Sequence, residues 1–507
     1  MEKFQKNNQF RKAFLNTLTI IFSQIITIIV GFIIPNFIIT FYGSETNGLI
    51  NTINQIISYF ALLQIGLSTA VTYSLYRPLA NNNQNETNQI LSAASVFYKK
   101  SGYFYILFGF ITALLFPIFV KSDLYTSQTI SLLIFSMLIP GVLEFFILSK
   151  YRILLIADFQ NYIISFANIV SLIINLLIVF FLSPILNILY LRILMISQNI
   201  FSIFFIFLFV KRKYPKLNLK ENFEKNILNK RWSAFKIQII SIFQQTFPIL
   251  FISSTIGLNY ASVYSIYNMI ILGIINIIGL INNSFISIFG QYIAKKDFSG
   301  LKRLFNKYVI LYYFIISVIY SLIYINFMPF IEIYTRNFID TNYIDQLLAF
   351  LIISESLVSA LRAPLGMVIN AAGLFKESTK SSLIQLFILI SFSIFLGQMF
   401  GIYGIIVSSF IAHLYRNFEM LLFVKRNVFE ISTYKYLLWE FLMIFPIIIV
   451  FYFSKFYPLL VINYLDWILF SIIFGLLAIL FTFSTWLVFQ FKEFSILIKF
   501  FRNHLKI

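Results

Sequence analysis

The stretch LFVKRKYPKLNLKENFEKNILNKRWSAFK, residues 208–236, decides how the rest of the chain is read. Nine Lys and Arg residues crowd into 211–236, between an apolar run that ends at Val210 and another that opens at Ile237. A helix needs about 20 apolar residues to cross a hydrocarbon core about 30 Å thick. A basic segment between two such runs reads as a cytoplasmic loop, because Lys and Arg are retained on the inner side of a membrane.

Working outward from this loop, the apolar runs before it are 14–41, 49–75, 102–120, 128–149, 162–182 and 186–210. Those after it are 237–257, 262–292, 308–331, 346–371, 382–399, 402–424, 436–453 and 467–491. Threaded with both ends inside, the inner segments hold 32 of the 38 basic residues. The outer loops hold only Lys121, Arg336 and Lys455, against the acids Glu45, Asp123, Glu332, Asp340, Asp345 and Asp466. A miscounted helix would scramble that alternation. The sequence therefore predicts an all-α membrane protein of about 14 transmembrane helices with cytoplasmic termini.

Composition points the same way. The 507 residues are 60% hydrophobic and 11% charged, with mean hydropathy +0.87. No soluble fold of ordinary surface-to-volume ratio hides that much apolar side chain. The net charge of +19 is read as loops facing anionic headgroups and not as a nucleic-acid surface, because the basic residues sit at span ends. With no Cys there is no disulfide framework and no thiolate ligand. The basic start, MEKFQKNNQFRKAFLN, runs into a span too long for a signal-peptide core and reads as an uncleaved first helix.

The chain also repeats. LFVKR closes span six at Leu208–Arg212 and span twelve at Leu422–Arg426, and the same offset brings Gly43 onto Gly257 and Asn54 onto Asn268. This divides the protein into an N-terminal six-helix bundle (1–210), a basic linker (211–236), a C-terminal six-helix bundle (237–424), and accessory helices thirteen and fourteen with a basic tail (425–507). Repeats of like orientation are related by an axis along the membrane normal, and in transporters the substrate site lies between them. Spans thirteen and fourteen carry little charge except Glu440 and are expected to be a lipid-facing pair.

Ionisable residues at mid-bilayer cost roughly 2.5–3.5 kcal/mol on insertion scales and usually face a partner or a wet cavity. Span ten carries Glu355 and Arg362, seven residues apart on one face; span four carries Glu144 and then Arg152. Span twelve carries His413, Arg416 and Glu419 in three-residue steps. Glu355 with Arg362, and Arg416 with Glu419, read either as ion pairs that hold helices in register or as substrate and ion sites. Arg192 has no acid near it in sequence, which favours a cationic cavity wall. Arg152 reads as a snorkelling interface residue, and His413 as a packing residue or a proton relay. Gln24, Gln244, Gln245, Asn51, Gln55, Gln64, Asn268, Asn276, Asn282 and Asn283 make the first two helices of each copy the wettest. They read as a cleft lining or as interhelical hydrogen-bond glue. No phosphate-binding loop and no ligand spacing for a metal is present in the sequence, so no cofactor is expected.

A resemblance rests on three features: the basic start before a long first helix, the stretch FYGSETNGLINTINQIISYFALLQIGLSTAVTYSLYRPLA at 41–80, and GLNYASVYSIYNMI at 257–270. With its Gly-centred outer turn, QIGLSTA segment and Arg77-Pro78 exit, the chain resembles the polysaccharide-precursor (Wzx-type) flippases of the multidrug/oligosaccharidyl-lipid/polysaccharide exporter superfamily. The resemblance implies two bundles around a V-shaped cavity, in a bacterial cytoplasmic membrane. It implies rocker-switch movement of an undecaprenyl-pyrophosphate-linked oligosaccharide among membrane lipids, with glycosyltransferases and a polysaccharide polymerase as neighbours in the pathway and no catalysis by the chain itself. On that reading Arg192, Arg362, Arg416, Gln24, Gln55 and Asn268 bind substrate, and Glu355, Glu144 or His413 couple ions. The competing readings are a multidrug or small-molecule exporter, which would want an acidic cavity, and a membrane polymerase or ligase, which would want a sizeable outer loop.

Overall fold

The computed structural model describes residues 2–219, 221, 232–456 and 461–489, and all regular structure among them is helical. Part of the basic linker, 222–231, and the tail beyond 489 lie outside the described residues. Helices α1 (Glu2–Tyr42), α2 (Ser44–Ala80) and α3 (Gln84–Phe119) form spans one to three. Span four is α4 (Ser127–Leu143), a π-helical turn at Glu144–Leu148, and α5 (Ser149–Ala157). Span five is α6 (Asn161–Leu182), and span six is α7 (Ile188–Leu194) followed by α8 (Ser197–Lys213). Then come α9 (Trp232–Thr255), α10 (Leu258–Ala294) and α11 (Phe298–Tyr334); span ten is split into α12 (Gln346–Leu361) and α13 (Ala363–Ala372). The last four are α14 (Phe375–Phe400), α15 (Ile402–Asn427), α16 (Thr433–Phe456) and α17 (Tyr464–Phe489).

Helices thus stand at all fourteen predicted spans. Among the described residues eleven helices are long and apolar enough to cross a membrane. Helices α2, α9 and α15 stand at the other three predicted spans. Helix α10, at 37 residues, is about 55 Å long and exceeds the hydrocarbon thickness.

The chain divides into two compact units, Met1–Ile266 and Tyr267–Ile507. In the first, α1 is fastened to α6 at both ends. Asn16 Nδ2 donates to Phe159 O at 3.0 Å and its Oδ1 accepts from Tyr162 N at 2.8 Å, while the Tyr42 hydroxyl donates to Leu186 O at 2.8 Å. Helix α2 packs along α9, and Asn47 Nδ2 donates to Ser262 Oγ at 2.8 Å. These contacts draw α9 and the start of α10 into the first unit, so its boundary falls later than the linker at 211–236. Gly48 is obligatory here: a Cβ would run into the Leu258 carbonyl. The repeat shows in the backbone too, since Gly43 (φ 85°) and Gly257 (φ 132°) both take positive φ at the turn between the first and second helices of each copy.

In the second unit α11 is the central post, packed by α12, α16 and α17. Spans thirteen and fourteen are therefore not simply the lipid-facing pair expected from their low charge. Tyr436, Trp439 and Met443 of α16 are fully buried, and Glu440 is 8% exposed. Helix α17 buries Phe470, Phe474, Ala478 and Thr482, a four-residue stripe, and exposes Leu469, Leu476 and Leu480 on its other side.

Candidate functional site

Three of the intramembrane charges, Glu144, Arg192 and Arg362, stand where helices are interrupted. An interruption frees backbone carbonyls and amides, and at membrane depth these are tolerated only where protein or water satisfies them. In the first unit two interruptions face one cavity. Pro140 lies inside α4 and Glu144 opens the π-helical turn; the Glu144 carbonyl accepts the Ser149 backbone N–H and also Ser149 Oγ at 2.8 Å. Single π-turns of this kind recur at functional sites. Across the cavity, α7 stops at Leu194 and α8 starts at Ser197, with Arg192 in the last turn of α7.

The cavity measures about 360 Å³ and is lined by Asn54, Ser136, Glu144, Arg192, Gln198 and Asn199 among others. Its volume sits at the small end of ligand pockets, about 300–1,000 Å³. Arg192 Nε is sealed from solvent without a hydrogen-bond partner, and among the described residues no carboxylate lies within ion-pair distance of this guanidinium. Glu144 is turned instead toward Arg152, whose Nε lies 3.5 Å from Glu144 Oε1. The wall thus presents a guanidinium with unused donors, surrounded by neutral amides. Such a group is set up to receive an acceptor-rich anion.

In the second unit the interruption is at Arg362. Pro364 cannot donate to Ala360 O, four residues back; the Tyr312 hydroxyl takes that carbonyl at 2.9 Å. The Tyr313 hydroxyl reaches Leu361 O at 3.1 Å. Arg362 is half-buried and makes one long contact, Nη2 to Ser359 Oγ at 3.4 Å. Glu355, seven residues earlier, pairs with His413 and not with Arg362: Nε2 to Oε1 is 2.8 Å. His413 Nδ1 lies 3.2 Å from Gln385 Nε2. With that amide donating, the imidazole carries its hydrogen on Nε2 and directs it at Glu355, so α12, α14 and α15 are joined by one polar chain.

Arg416 serves differently. It is 3% exposed, paired with Glu419, and its Nη2 is 2.5 Å from Ser378 Oγ. Glu419 in turn accepts from Ser381 Oγ at 2.7 Å. This is a clamp between α14 and α15, with its donors already committed. Gln24, Gln55 and Asn268 stand partly exposed on α1, α2 and α10 and find no hydrogen-bond partner among the described residues. Asn51, in contrast, bonds Ser265 Oγ at 3.2 Å and acts as glue. The side chains of Gln64 and Asn283 lie outside the described residues.

Several site residues were not foreseen. Ser136, Gln198 and Asn199 line the cavity beside the α4 bulge and the span-six break; Pro140 and Gly141 stand just before the first, but no proline or glycine marks the second. Tyr312, Tyr313, Tyr436 and Asn417 matter through carbonyls and carboxylates on other helices; among 30 Tyr nothing in the sequence marks them.

Solved structures share this fold. A multidrug resistance MATE family transporter of the MOP superfamily, in its inward-facing conformation, superposes with TM-score 0.68 at 11% identity, over 79% of this chain and 94% of its own. The lipid II flippase MurJ, inward closed, gives TM-score 0.69 at 14% identity, over 94% of this chain and 99% of its own. The outward-facing MATE transporter gives 0.61 at 12% identity, over 82% and 95%. The fold is that of these transporters. No protein-family model matches the chain, and no curated protein matches it by sequence.

Proposed function

We propose that the protein is a flippase that carries an undecaprenyl-pyrophosphate-linked oligosaccharide across the cytoplasmic membrane by alternating access. The observation that carries this reading is the pair Arg192 and Arg362. Each stands at a helix interruption, and neither has a carboxylate within ion-pair distance among the described residues. In its own unit, each guanidinium suits a phosphate, which offers acceptor oxygens to a bidentate fork. A lipid II flippase of the same fold over 94% of the chain supports the substrate class. Arg416 is left out of the binding set and assigned to holding α14 on α15.

In this mechanism the guanidiniums replace the water stripped from the pyrophosphate, and the amides Asn54, Gln198 and Asn199 hydrogen-bond the first sugar. The prenyl tail stays in lipid, so only the headgroup crosses the polar path. With the cell interior negative, each negative charge moved outward gains about 2.3 kcal/mol per 100 mV. Glu355 with His413 forms a separate ionisable pair that we assign to coupling or gating. Glycosyltransferases would supply the substrate inside and a polymerase would consume it outside. The Glu355–His413 pair also fits a cation-coupled exporter of small molecules, and one neighbour of this fold is a multidrug resistance MATE family transporter.

The test is translocation by the purified protein in liposomes. A fluorescent polyprenyl-pyrophosphate sugar should become accessible to an impermeant quencher on the far leaflet, and Arg192→Gln with Arg362→Gln should abolish this. Transport of lipophilic cations with no movement of the phospholipid-like substrate would replace this reading with the exporter.

A further inference from the structure

Glu440 is the buried carboxyl that the site above does not use. It is 8% exposed and sits two turns into α16, a helix wedged against α11. Its Oε1 accepts from Asn417 Nδ2 of α15 at 3.0 Å and from the Tyr313 hydroxyl of α11 at 3.3 Å. Among the described residues no Lys, Arg or His pairs with it. The charged and titratable groups around it are already placed. Arg416, beside Asn417, is committed to Glu419 and Ser378. Lys435, earlier on α16, lies over the Trp439 ring at 5.2 Å. Helix α11 presents Tyr308, Tyr312 and Tyr313, α16 itself Tyr436, and the α12–α13 junction Arg362. The buried residues of α17 include Phe470, Phe474, Ala478, Thr482 and Trp486, none of which titrates. The carboxyl is thus buried among neutral donors, with no countercharge among the described residues.

The Tyr313 hydroxyl gives that proton a consequence. It has one hydrogen and three acceptors in reach: Glu440 Oε1 at 3.3 Å, Leu361 O at 3.1 Å, and the neighbouring Tyr436 hydroxyl oxygen. Leu361 is the last residue of α12, and the next residue is Arg362. The Tyr436 hydroxyl reaches the same carbonyl only at 3.4 Å. A charged Glu440 is the stronger acceptor and draws the Tyr313 hydrogen to itself; a neutral one surrenders it to Leu361 O.

We propose that Glu440 is a proton-binding site, and that its protonation transfers the Tyr313 hydrogen bond from the carboxylate to Leu361 O and so firms the helix junction that carries Arg362. One proton is taken up from water, giving the carboxylic acid, and no other bond changes. That this tunes transport rests on the function proposed above; the binding of the proton does not.

The test uses the full-length protein in lipid nanodiscs. Infrared difference spectra against pH should show a protonated-carboxyl band that is lost in Glu440→Gln and kept in Glu355→Gln. Amide hydrogen exchange across 359–368, corrected for its intrinsic pH dependence, should slow several-fold on acidification in the parent protein. It should not respond to pH in Glu440→Gln or in Tyr313→Phe, although Tyr313→Phe keeps the carboxyl band. A band unchanged in Glu440→Gln, or a pH response of the junction that survives both substitutions, overturns the proposal. Loss of the band when sodium replaces potassium also overturns it, in favour of a metal-cation site. Failure of lipid translocation with the band and the exchange response intact would strike the flippase reading alone.

Discussion

Replacing Arg192 by Gln separates a binding residue from a structural one, because the two roles predict opposite signs. Arg192 Nε is buried without a partner, and no carboxylate is left behind when the charge goes. Removing an unpaired buried cation is therefore neutral or stabilising for the fold. The substrate loses hydrogen bonds from a charged donor, worth about 1.5–3 kcal/mol, or roughly 10- to 150-fold in affinity. Arg192→Lys keeps the charge but not the fork and should fall between. Equilibrium binding of a polyprenyl-pyrophosphate lipid in nanodiscs reads the affinity, and thermal unfolding of the same sample reads stability. Unchanged affinity with a clear loss of stability would refute the assignment and make Arg192 a packing residue.

Arg416→Ala should behave in the reverse manner, destabilising the protein by about 3 kcal/mol by stranding Glu419, at the low end for a buried pair because Glu419 keeps some exposure. Arg416→Met with Glu419→Gln should recover most of that in denaturant unfolding. Gly48→Ala should cost about 1–3 kcal/mol of overpacking, since the new methyl meets backbone at Leu258 and not a flexible side chain; lowered melting temperature and poor yield would register it.

The helices were legible because hydropathy is a long-range average, and a residue or two of error at each end does not move a span. Charges inside spans were legible for the same reason, since Arg192 or Glu355 stands out against 20 apolar neighbours. The Arg416–Glu419 pair, three residues apart on one helix, was legible too, but the partner of Glu355 was not. Spacing along one helix makes Glu355 and Arg362 look like partners, but Pro364 breaks the helix between its two segments, and the imidazole of α15 reaches Glu355 instead. Partners on other helices have no fixed sequence offset. The same limit hid the part played by α16. Low charge reads as lipid-facing, yet Tyr436 and Glu440 spend their polar groups inside the unit, on Leu361 O and Asn417. Gly43 and Gly257, by contrast, could be matched from sequence because a positive φ excludes most side chains.

The most direct test of alternating access exploits a chain with no cysteine. Asn54 lines the Arg192 cavity, ten residues or about 15 Å along α2 from its start. A single cysteine placed there should react with an impermeant maleimide added to either face, and bound pyrophosphate-linked lipid should protect it on both. Reaction from one face only, unaltered by substrate, or from neither, would contradict the account.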